Sequence, residues 1–255
     1  MFVFKYGGHA IPEGSSVDPS IVYLAELINS GNKIVIVHGG GPQINRELEF
    51  HGIKSEMVGG FRKTTPEVFE VVQRTLSGEV LRNLTNQLIS QGINAVGISA
   101  GDGNLIRARN EKPELGLVGV VSAVDPGFLN NLMAQGITPV ISPIAVDSEG
   151  LGLNINADLI AGAIGGALTA DAVLFSTDVS GIYRNWPDET SLIKSIKVEE
   201  LSEIASGFEG GMIPKAQAAI NAIESGAKSV RIFDGRKIAT LVAAFAGESG
   251  TLVTA

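Results

Sequence analysis

Short apolar runs alternate along the chain with longer segments in which apolar residues recur at helical spacing. The short runs predict buried strands at residues 2–4, 34–37, 94–99, 138–142, 171–176, 229–233 and 251–253. Helical spacing predicts helices at 18–29, 42–50, 66–91, 126–133, 158–168 and 199–205, with another beginning near residue 215. This alternation is typical of an α/β fold whose mainly parallel sheet is covered on both faces. Residues 105–124 break the pattern and are interpreted as a solvated hairpin.

The predicted strand at 34–37 leads directly into His38-Gly39-Gly40-Gly41-Pro42. Its apolar, mostly β-branched residues are typical of a strand buried on both faces, and Pro42 suits the first position of a helix. Glycines between a strand and a helix leave backbone N–H groups accessible, and a helix N-terminus favours a negative ligand. The segment therefore predicts an anion-binding loop.

Composition and charge narrow the classes of function. The chain has 255 residues, enough for one large α/β domain or for two lobes that share a sheet. Its formal charge of -8 disfavours nucleic acid or an anionic membrane as a general partner. The chain has no cysteine, which excludes disulfides and thiolate metal sites, and its three histidines leave little for a zinc centre. The sequence shows no signal-peptide pattern and no apolar run of membrane-spanning length, so we expect a cytoplasmic protein.

Charged and titratable residues stand beside the predicted loops. Lys5 ends the first strand ahead of two glycines, where it is either a solvated lysine or an ammonium group laid across the loop. Arg62 lies in a glycine-rich loop. It is either an ordinary surface arginine or a residue that binds a carboxylate bidentately. His9 and His38 flank glycine loops and are expected to be structural.

Together these features favour phosphoryl transfer. That reaction requires the protein mainly to position the reactants and to supply positive charge around the transferred phosphoryl group. The chain has neither the P-loop signature G-x-x-x-x-G-K-[ST] nor the dinucleotide signature G-x-G-x-x-G. Neither of these common nucleotide-binding folds is therefore supported.

Several segments follow one another in an order that can be compared with known families. They are Lys5-Tyr6-Gly7-Gly8, His38-Gly39-Gly40-Gly41, Gly60-Phe61-Arg62, Asn154-Ile155-Asn156-Ala157-Asp158, Asp178-Val179-Ser180-Gly181-Ile182 and Gly211-Met212-Ile213-Pro214-Lys215. This ordered set resembles the motifs of the amino acid kinase family, and the resemblance spans nearly the whole chain. It implies an open three-layer αβα sandwich of two lobes. Residues 1–170 would bind an acylamino acid and form a dimer, and residues 171–255 would bind ATP.

The resemblance is strongest to the branch of the family that phosphorylates N-acetyl-L-glutamate. It implies transfer of the γ-phosphoryl group of ATP to the side-chain carboxylate, as a step of arginine biosynthesis. Such a carboxylate is already ionised at neutral pH, so no general base is needed. Mg²⁺ would be held mainly by phosphate oxygens and water, and no metal-binding residue is implied.

The resemblance also implies roles for individual residues. Lys5 and Lys215 match lysines that stabilise transition-state charge, and Asp158 matches the aspartate that orients them. Arg62 matches the residue that binds the α-carboxylate of the substrate, and Gly40, Gly41, Asn154 and Asn156 complete the acceptor site. The implied nucleotide-binding residues are Gly7, Gly8, Asp178, Val179, Ser180, Gly181, Ile182, Tyr183, Gly207, Phe208, Glu209, Gly210, Gly211 and Met212.

Two alternatives remain open. One is a kinase for glutamate or aminoadipate attached to an acidic carrier protein, which residues 186–192 and the short tail resemble. The net charge of -8 argues against the basic docking face that such a carrier would need. The other is a non-catalytic amino-acid sensor, although both lysines and the aspartate are present.

The resemblance also implies a homodimer, for which the predicted helix at 66–91 is long enough to form the contact. Arginine-inhibited members of the family carry an extra N-terminal helix and a C-terminal segment that residues 241–251 do not match. We therefore expect a dimer that is insensitive to arginine.

Overall fold

The computed structural model describes residues 1–8 and 17–255, and His9 lies outside the described residues. The strands are β1 (Phe2–Tyr6), β2 (Ile34–His38), β3 (Met57–Val58), β4 (Phe61–Arg62), β5 (Ala95–Ser99), β6 (Ile106–Arg109), β7 (Val120–Val124), β8 (Thr138–Ser142), β9 (Ile144–Val146), β10 (Gly152–Asn154), β11 (Ala172–Thr177), β12 (Ser195–Lys197), β13 (Val230–Asp234) and β14 (Thr251–Thr254).

The α-helices are α1 (Pro19–Asn29), α2 (Gly41–Phe50), α3 (Pro66–Gln73), α4 (Leu81–Ser90), α5 (Pro126–Ala134), α6 (Ala157–Ala167), α7 (Val198–Ile204), α8 (Met212–Glu224) and α9 (Ile238–Phe245). A π-helical segment, Arg74–Val80, joins α3 to α4. Short 3-10 helices occupy Asp102–Asn104, Pro113–Leu115, Glu189–Ser191 and Ala205–Gly207. Among the described residues, no helix is both long and apolar enough to cross a membrane.

The described part of the chain forms an eight-stranded sheet in the order β12-β14-β13-β11-β1-β2-β8-β5. Neighbouring strands in it are parallel except for β13 and β14. Phe2 of β1 lies opposite Ala172 of β11, so the regions predicted as two lobes share one continuous sheet. The prediction of an α/β fold with a mainly parallel sheet is confirmed.

The sheet is covered on both faces, as its buried strands require. Alternate residues of β2 point to opposite sides: Val35 and Val37 belong to the core under α5, α6, α7 and α8, whereas Ile34 and Ile36 belong to the core under α1, α4 and α9. This gives the three layers expected. A further core beside the sheet joins α2 to α3.

The helix predicted at 66–91 is one continuous helical region with a π-helical centre. Thr65 caps it, since its hydroxyl accepts a hydrogen bond from the Val68 N–H at 3.3 Å. Gly78 lowers the α-helix propensity of the centre. The Ser77 hydroxyl there is tied to Ser99 at 3.0 Å and to Ser142 at 2.8 Å, and both of these serines end sheet strands. The π-helical segment is thus anchored to the strand ends near the glycine loop.

The region at 105–124 is a hairpin, but only one side of it is solvated. Strands β6 and β7 pair antiparallel and join β9 and β10 in a four-stranded sheet. Arg107 and Arg109 are exposed, whereas Ile106 and Ala108 are buried. The short strands β3, β4, β9, β10 and β12 were not predicted, because strands of two or three residues are too short to show a period. Helix α9 was not predicted either.

Candidate active site

Two clefts meet at the carboxyl ends of the central strands, where ligands gather in parallel sheets. One, of about 200 Å³, is bordered by the glycine loop after β2 and by the β3–β4 hairpin, and we call it the acceptor cleft. The other, of about 600 Å³, lies beyond β11 and beside the start of α8, and we call it the nucleotide cleft after the ligand that the resemblance implies for this part of the chain. Lys215 lines both clefts. Ligands held in the two clefts would therefore meet beside Lys215.

A buried charge cluster stands where the clefts meet. The Nζ atom of Lys5 lies 3.0 Å from Oδ1 of Asp158, and the Nζ atom of Lys215 lies 3.2 Å from Oδ2. The Asp158 side chain is 3% exposed, against 9% for Lys5 and 16% for Lys215. One carboxylate therefore holds two ammonium groups that come from opposite ends of the sequence.

The protonation states follow from burial and charge. Burial alone would raise the pKa of Asp158, but the attraction of Lys5 and Lys215 outweighs it, so this pKa lies below its usual value. Burial lowers the pKa of Lys5, with Lys215 acting in the same direction and Asp158 opposing them. At neutral pH the carboxylate is ionised between its two lysines.

Helix packing fixes the position of this cluster. Asn156 caps α6, since its side-chain oxygen accepts a hydrogen bond from the Asp158 N–H at 2.8 Å, and the helix N-terminus favours a carboxylate at that position. One turn later, a Cβ atom added to Gly162 would lie 2.5 Å from the carbonyl oxygen of Ala218 on α8. The absence of a side chain at Gly162 thus lets α8 approach closely enough for Lys215 to reach the carboxylate.

The glycine loops after β1 and β2 pack backbone to backbone. A Cβ atom added to Gly8 would lie 2.8 Å from the Gly41 nitrogen and 2.9 Å from the Gly40 nitrogen, so a side chain at Gly8 would displace the loop. The Gly39 N–H donates to the Tyr6 carbonyl at 2.9 Å. Gly40 and Gly41 line the acceptor cleft.

Arg62, Asn154 and Asn156 also line the acceptor cleft. Arg62 is held by its neighbours: its Nη2 donates to Asn45 Oδ1 at 2.6 Å, and its Nη1 donates to the Ser55 hydroxyl at 3.3 Å. Burial lowers the pKa of Arg62, although not enough to discharge a guanidinium at neutral pH. The side chain of Asn156 is engaged as the α6 cap. Apolar lining residues that the sequence analysis missed are Ile44, Met57, Phe61, Leu76, Val118 and Pro143, which carry no sequence signal distinct from core residues.

Most of the residues expected to bind the nucleotide line the nucleotide cleft. They are Asp178, Val179, Tyr183, Gly207, Phe208, Glu209, Gly211 and Met212. The structure does not bring Ser180, Gly181, Ile182 or Gly210 into this lining. Ile182 is fully buried, and its N–H donates to the Thr251 hydroxyl at 2.8 Å.

The two remaining glycines expected at the nucleotide lie elsewhere. Gly8 lines the acceptor cleft, and Gly7 packs against Ser176, whose carbonyl oxygen would lie 2.5 Å from an added Cβ atom. The nucleotide cleft is completed by residues that the sequence analysis did not assign to it: Thr177, Arg184, Asn185 and Trp186. A tryptophan within a polar loop was the signal that could have indicated them.

No group of three or more His, Asp or Glu side chains among the described residues is placed to hold a metal ion. Both Asp158 oxygens are already paired with lysines.

Sequence comparisons identify the family of the chain. The model of the amino acid kinase family matches residues 1–234. An acetylglutamate kinase of Clostridium acetobutylicum is 40% identical, with 99% of this chain and 89% of the relative covered. An acetylglutamate kinase of Rhodococcus jostii is 41% identical, with 99% and 85% covered.

Solved structures with a similar fold match nearly the whole chain. The protein smu.665 of Streptococcus mutans matches with a TM-score of 0.84 at 26% identity, covering 99% of this chain and 98% of that one. A carbamate kinase of Giardia lamblia matches with a TM-score of 0.73 at 17% identity, covering 99% and 97%. The match of the family model over residues 1–234 and the relatives of about 40% identity show that the chain belongs to the amino acid kinase family.

Proposed function

We propose that the protein transfers the γ-phosphoryl group of ATP to the side-chain carboxylate of N-acetyl-L-glutamate, giving N-acetyl-L-glutamyl 5-phosphate and ADP in arginine biosynthesis. The relatives that cover nearly the whole chain at about 40% identity are acetylglutamate kinases, which supports this substrate. We further propose that this metabolic reaction takes place in the cytoplasm.

One observation carries the proposal: the Lys5–Asp158–Lys215 cluster lies where the two clefts meet. A phosphoryl group that passes between ligands in these clefts would pass beside both ammonium groups. Charge spreads over its oxygens during transfer, and fixed cations in a water-poor site stabilise that charge. A carboxylate between the lysines offsets their mutual repulsion and orients them.

The step is a direct displacement. A carboxylate oxygen of the acceptor attacks the γ-phosphorus, the new oxygen–phosphorus bond forms, and the bond to the β-phosphate oxygen breaks to release ADP. The acceptor is ionised at neutral pH, so no proton has to be moved. Arg62 at the acceptor cleft suits the α-carboxylate of the acceptor, because its planar fork binds carboxylates bidentately. The contacts of Arg62 with Asn45 and Ser55 hold the guanidinium in place.

We propose Mg²⁺ as the companion of ATP. When bound, the ion neutralises phosphate charge. Lys5 and Lys215 supply the fixed positive charge at the acceptor side.

We propose that the protein works as a homodimer. Strand β5 stands at one end of the sheet in the described part of the chain, and Ile89 on the neighbouring helix α4 is 51% exposed. A strand edge with unpaired backbone groups can pair with a second copy of the chain, which would also cover Ile89. Light scattering should give twice the chain mass of 26.5 kDa.

The function is tested by measuring ADP release with N-acetylglutamate, glutamate and aminoadipate side by side. We expect turnover with N-acetylglutamate, and much less with the other two. Equal ADP release with and without an acceptor would contradict the proposal. Turnover that required an acceptor linked to a carrier protein would identify the alternative kinase.

A further inference from the structure

His38 is a buried residue at the end of β2, immediately before the glycine loop. Its side chain is fully shielded from solvent, so it does not enter the acceptor cleft that the following glycines line. Its Nδ1 atom lies 2.8 Å from the carbonyl oxygen of Gly39. Among the described residues its Nε2 atom has no hydrogen-bond partner. The contact with Gly39 is therefore the polar contact that orients the ring.

The chemistry of this contact fixes the tautomer. A carbonyl oxygen can only accept a hydrogen bond, so Nδ1 must carry the hydrogen and donate it. Burial lowers the pKa of His38 to about 4, which keeps the ring neutral at physiological pH. A neutral ring carries one hydrogen, so Nε2 has none.

The contact also fixes the direction of an N–H group in the loop. The Gly39 carbonyl and the Gly40 N–H belong to one planar peptide group, and in a trans peptide they point in opposite directions. Because the carbonyl points to the buried imidazole, the Gly40 N–H points away from it. Gly40 lines the acceptor cleft, so the direction of its N–H matters for any anionic ligand held there.

A peptide group between two glycines is free to turn over unless something holds it, because neither residue has a side chain that restricts its dihedral angles. The Gly39 N–H is anchored to Tyr6 at 2.9 Å, but that hydrogen bond belongs to the preceding peptide group. The Gly39 carbonyl is anchored by His38.

We propose that His38 is a positioning residue that locks the peptide group between Gly39 and Gly40 so that the Gly40 N–H faces the transferred phosphoryl group. The role rests on the proposed kinase reaction, in which the glycine loop borders the path of that group. Turning this peptide over would present a carbonyl oxygen to an anion and remove a hydrogen-bond donor.

A pair of substitutions separates this role from simple packing. The amide nitrogen of His38→Asn can occupy the place of Nδ1 and donate to Gly39, whereas that of His38→Gln reaches the place of Nε2 and leaves the carbonyl free. Misplacement of a contacting group by about 1 Å can cost about 100-fold in rate, so we expect kcat to fall about tenfold or more in His38→Gln. In His38→Asn it should stay within about threefold of wild type. KM for the acceptor should change little in both, because the interaction is made to the moving group.

The tautomer provides a test that needs no mutant activity. Nitrogen-15 spectra of the histidine-labelled wild-type protein distinguish a protonated Nδ1 from a protonated Nε2, and the His38 signals are those missing from His38→Asn. We expect protonated Nδ1. Equal losses of kcat in both variants, no loss in either, or a protonated Nε2 would each overturn the role of His38. A wild-type protein without kinase activity would instead contradict the proposed function, and the tautomer would still report the contact.

Discussion

The Oδ2 atom of Asp158 lies 3.2 Å from the Nζ atom of Lys215, although the two residues lie on different helices and on opposite sides of the predicted lobe boundary. Close packing of α6 on α8 makes this contact, because Gly162 leaves no side chain between the helices. The carboxylate is also paired with Lys5, from the first strand. The proposed reaction centre thus depends on three elements that are distant in sequence.

Removing either ammonium group should reduce turnover far more than it reduces folding. We expect Lys5→Ala and Lys215→Ala each to lower kcat by about 100-fold or more, as for loss of one preorganised donor. Lys33→Ala is the matched control. Lys33 is exposed and precedes β2, so it lies at the amino ends of the parallel strands, away from the site. Steady-state kinetics of the three variants check this. A loss below about threefold in both site variants would contradict the assigned roles.

Turnover should decline at alkaline pH as Lys5 loses its proton. Burial lowers the pKa of Lys5 from 10.5, with Asp158 opposing the change. The charged form lies on the acid side of this pKa, so kcat should fall as pH rises through a midpoint below 10.5. Lys5→Arg keeps its charge throughout this range, so its remaining activity should lack the decline. An identical decline in wild type and Lys5→Arg would assign it to another group.

Nucleotide binding should change the fluorescence of the single tryptophan. Trp186 is the single tryptophan of the chain, it is 66% exposed, and its ring lies 5.1 Å from that of Tyr183 at the cleft wall. We expect ATP and ADP to change its emission saturably, whereas N-acetylglutamate alone should not.

Replacing Trp186 tests whether this side chain contacts the nucleotide. Loss of an aromatic contact to a base costs about 1–3 kcal/mol, so Trp186→Ala should raise KM for ATP by about tenfold. Phe50→Ala is the control, since Phe50 is 81% exposed and does not line the cleft. An unchanged KM in Trp186→Ala would exclude contact between Trp186 and the nucleotide.

Two glycines of the site should respond differently to an added methyl group. A Cβ atom on Gly8 would meet the backbone of Gly40 and Gly41, so Gly8→Ala should lower the melting temperature. A Cβ atom on Gly41 would meet no atom within 4 Å, so Gly41→Ala should keep the melting temperature and lower kcat by crowding the ligand. Gly40→Ala is a less clean test, because its Cβ atom would lie 2.6 Å from Leu76. Equal thermal stability of Gly8→Ala and wild type would contradict the packing of the two loops.

The helices that define the layers of the fold were readable from the sequence because their signals are local. Asp18 and Thr65 precede prolines and cap α1 and α3, and both helices begin within a residue of the prediction. The helix at 66–91 was predicted whole, but its π-helical centre depends on hydroxyl contacts between Ser77 and the ends of β5 and β8. Contacts of that kind leave no local pattern.

By itself, the sequence determined the alternation of buried strands with amphipathic helices, the glycine loops at strand ends and the residues that resemble the family motifs. Apolar periodicity and turn chemistry act over a few residues, so they can be read along the chain. Only the tertiary structure decided that Lys5, Asp158 and Lys215 meet, that Ile182 faces the core, that Trp186 borders a cleft and that the His38 ring holds the Gly39 carbonyl. The first three depend on how distant segments pack against one another, and the last on the hydrogen bond that orients the His38 ring inside the core. Packing and orientation are properties of the assembled core.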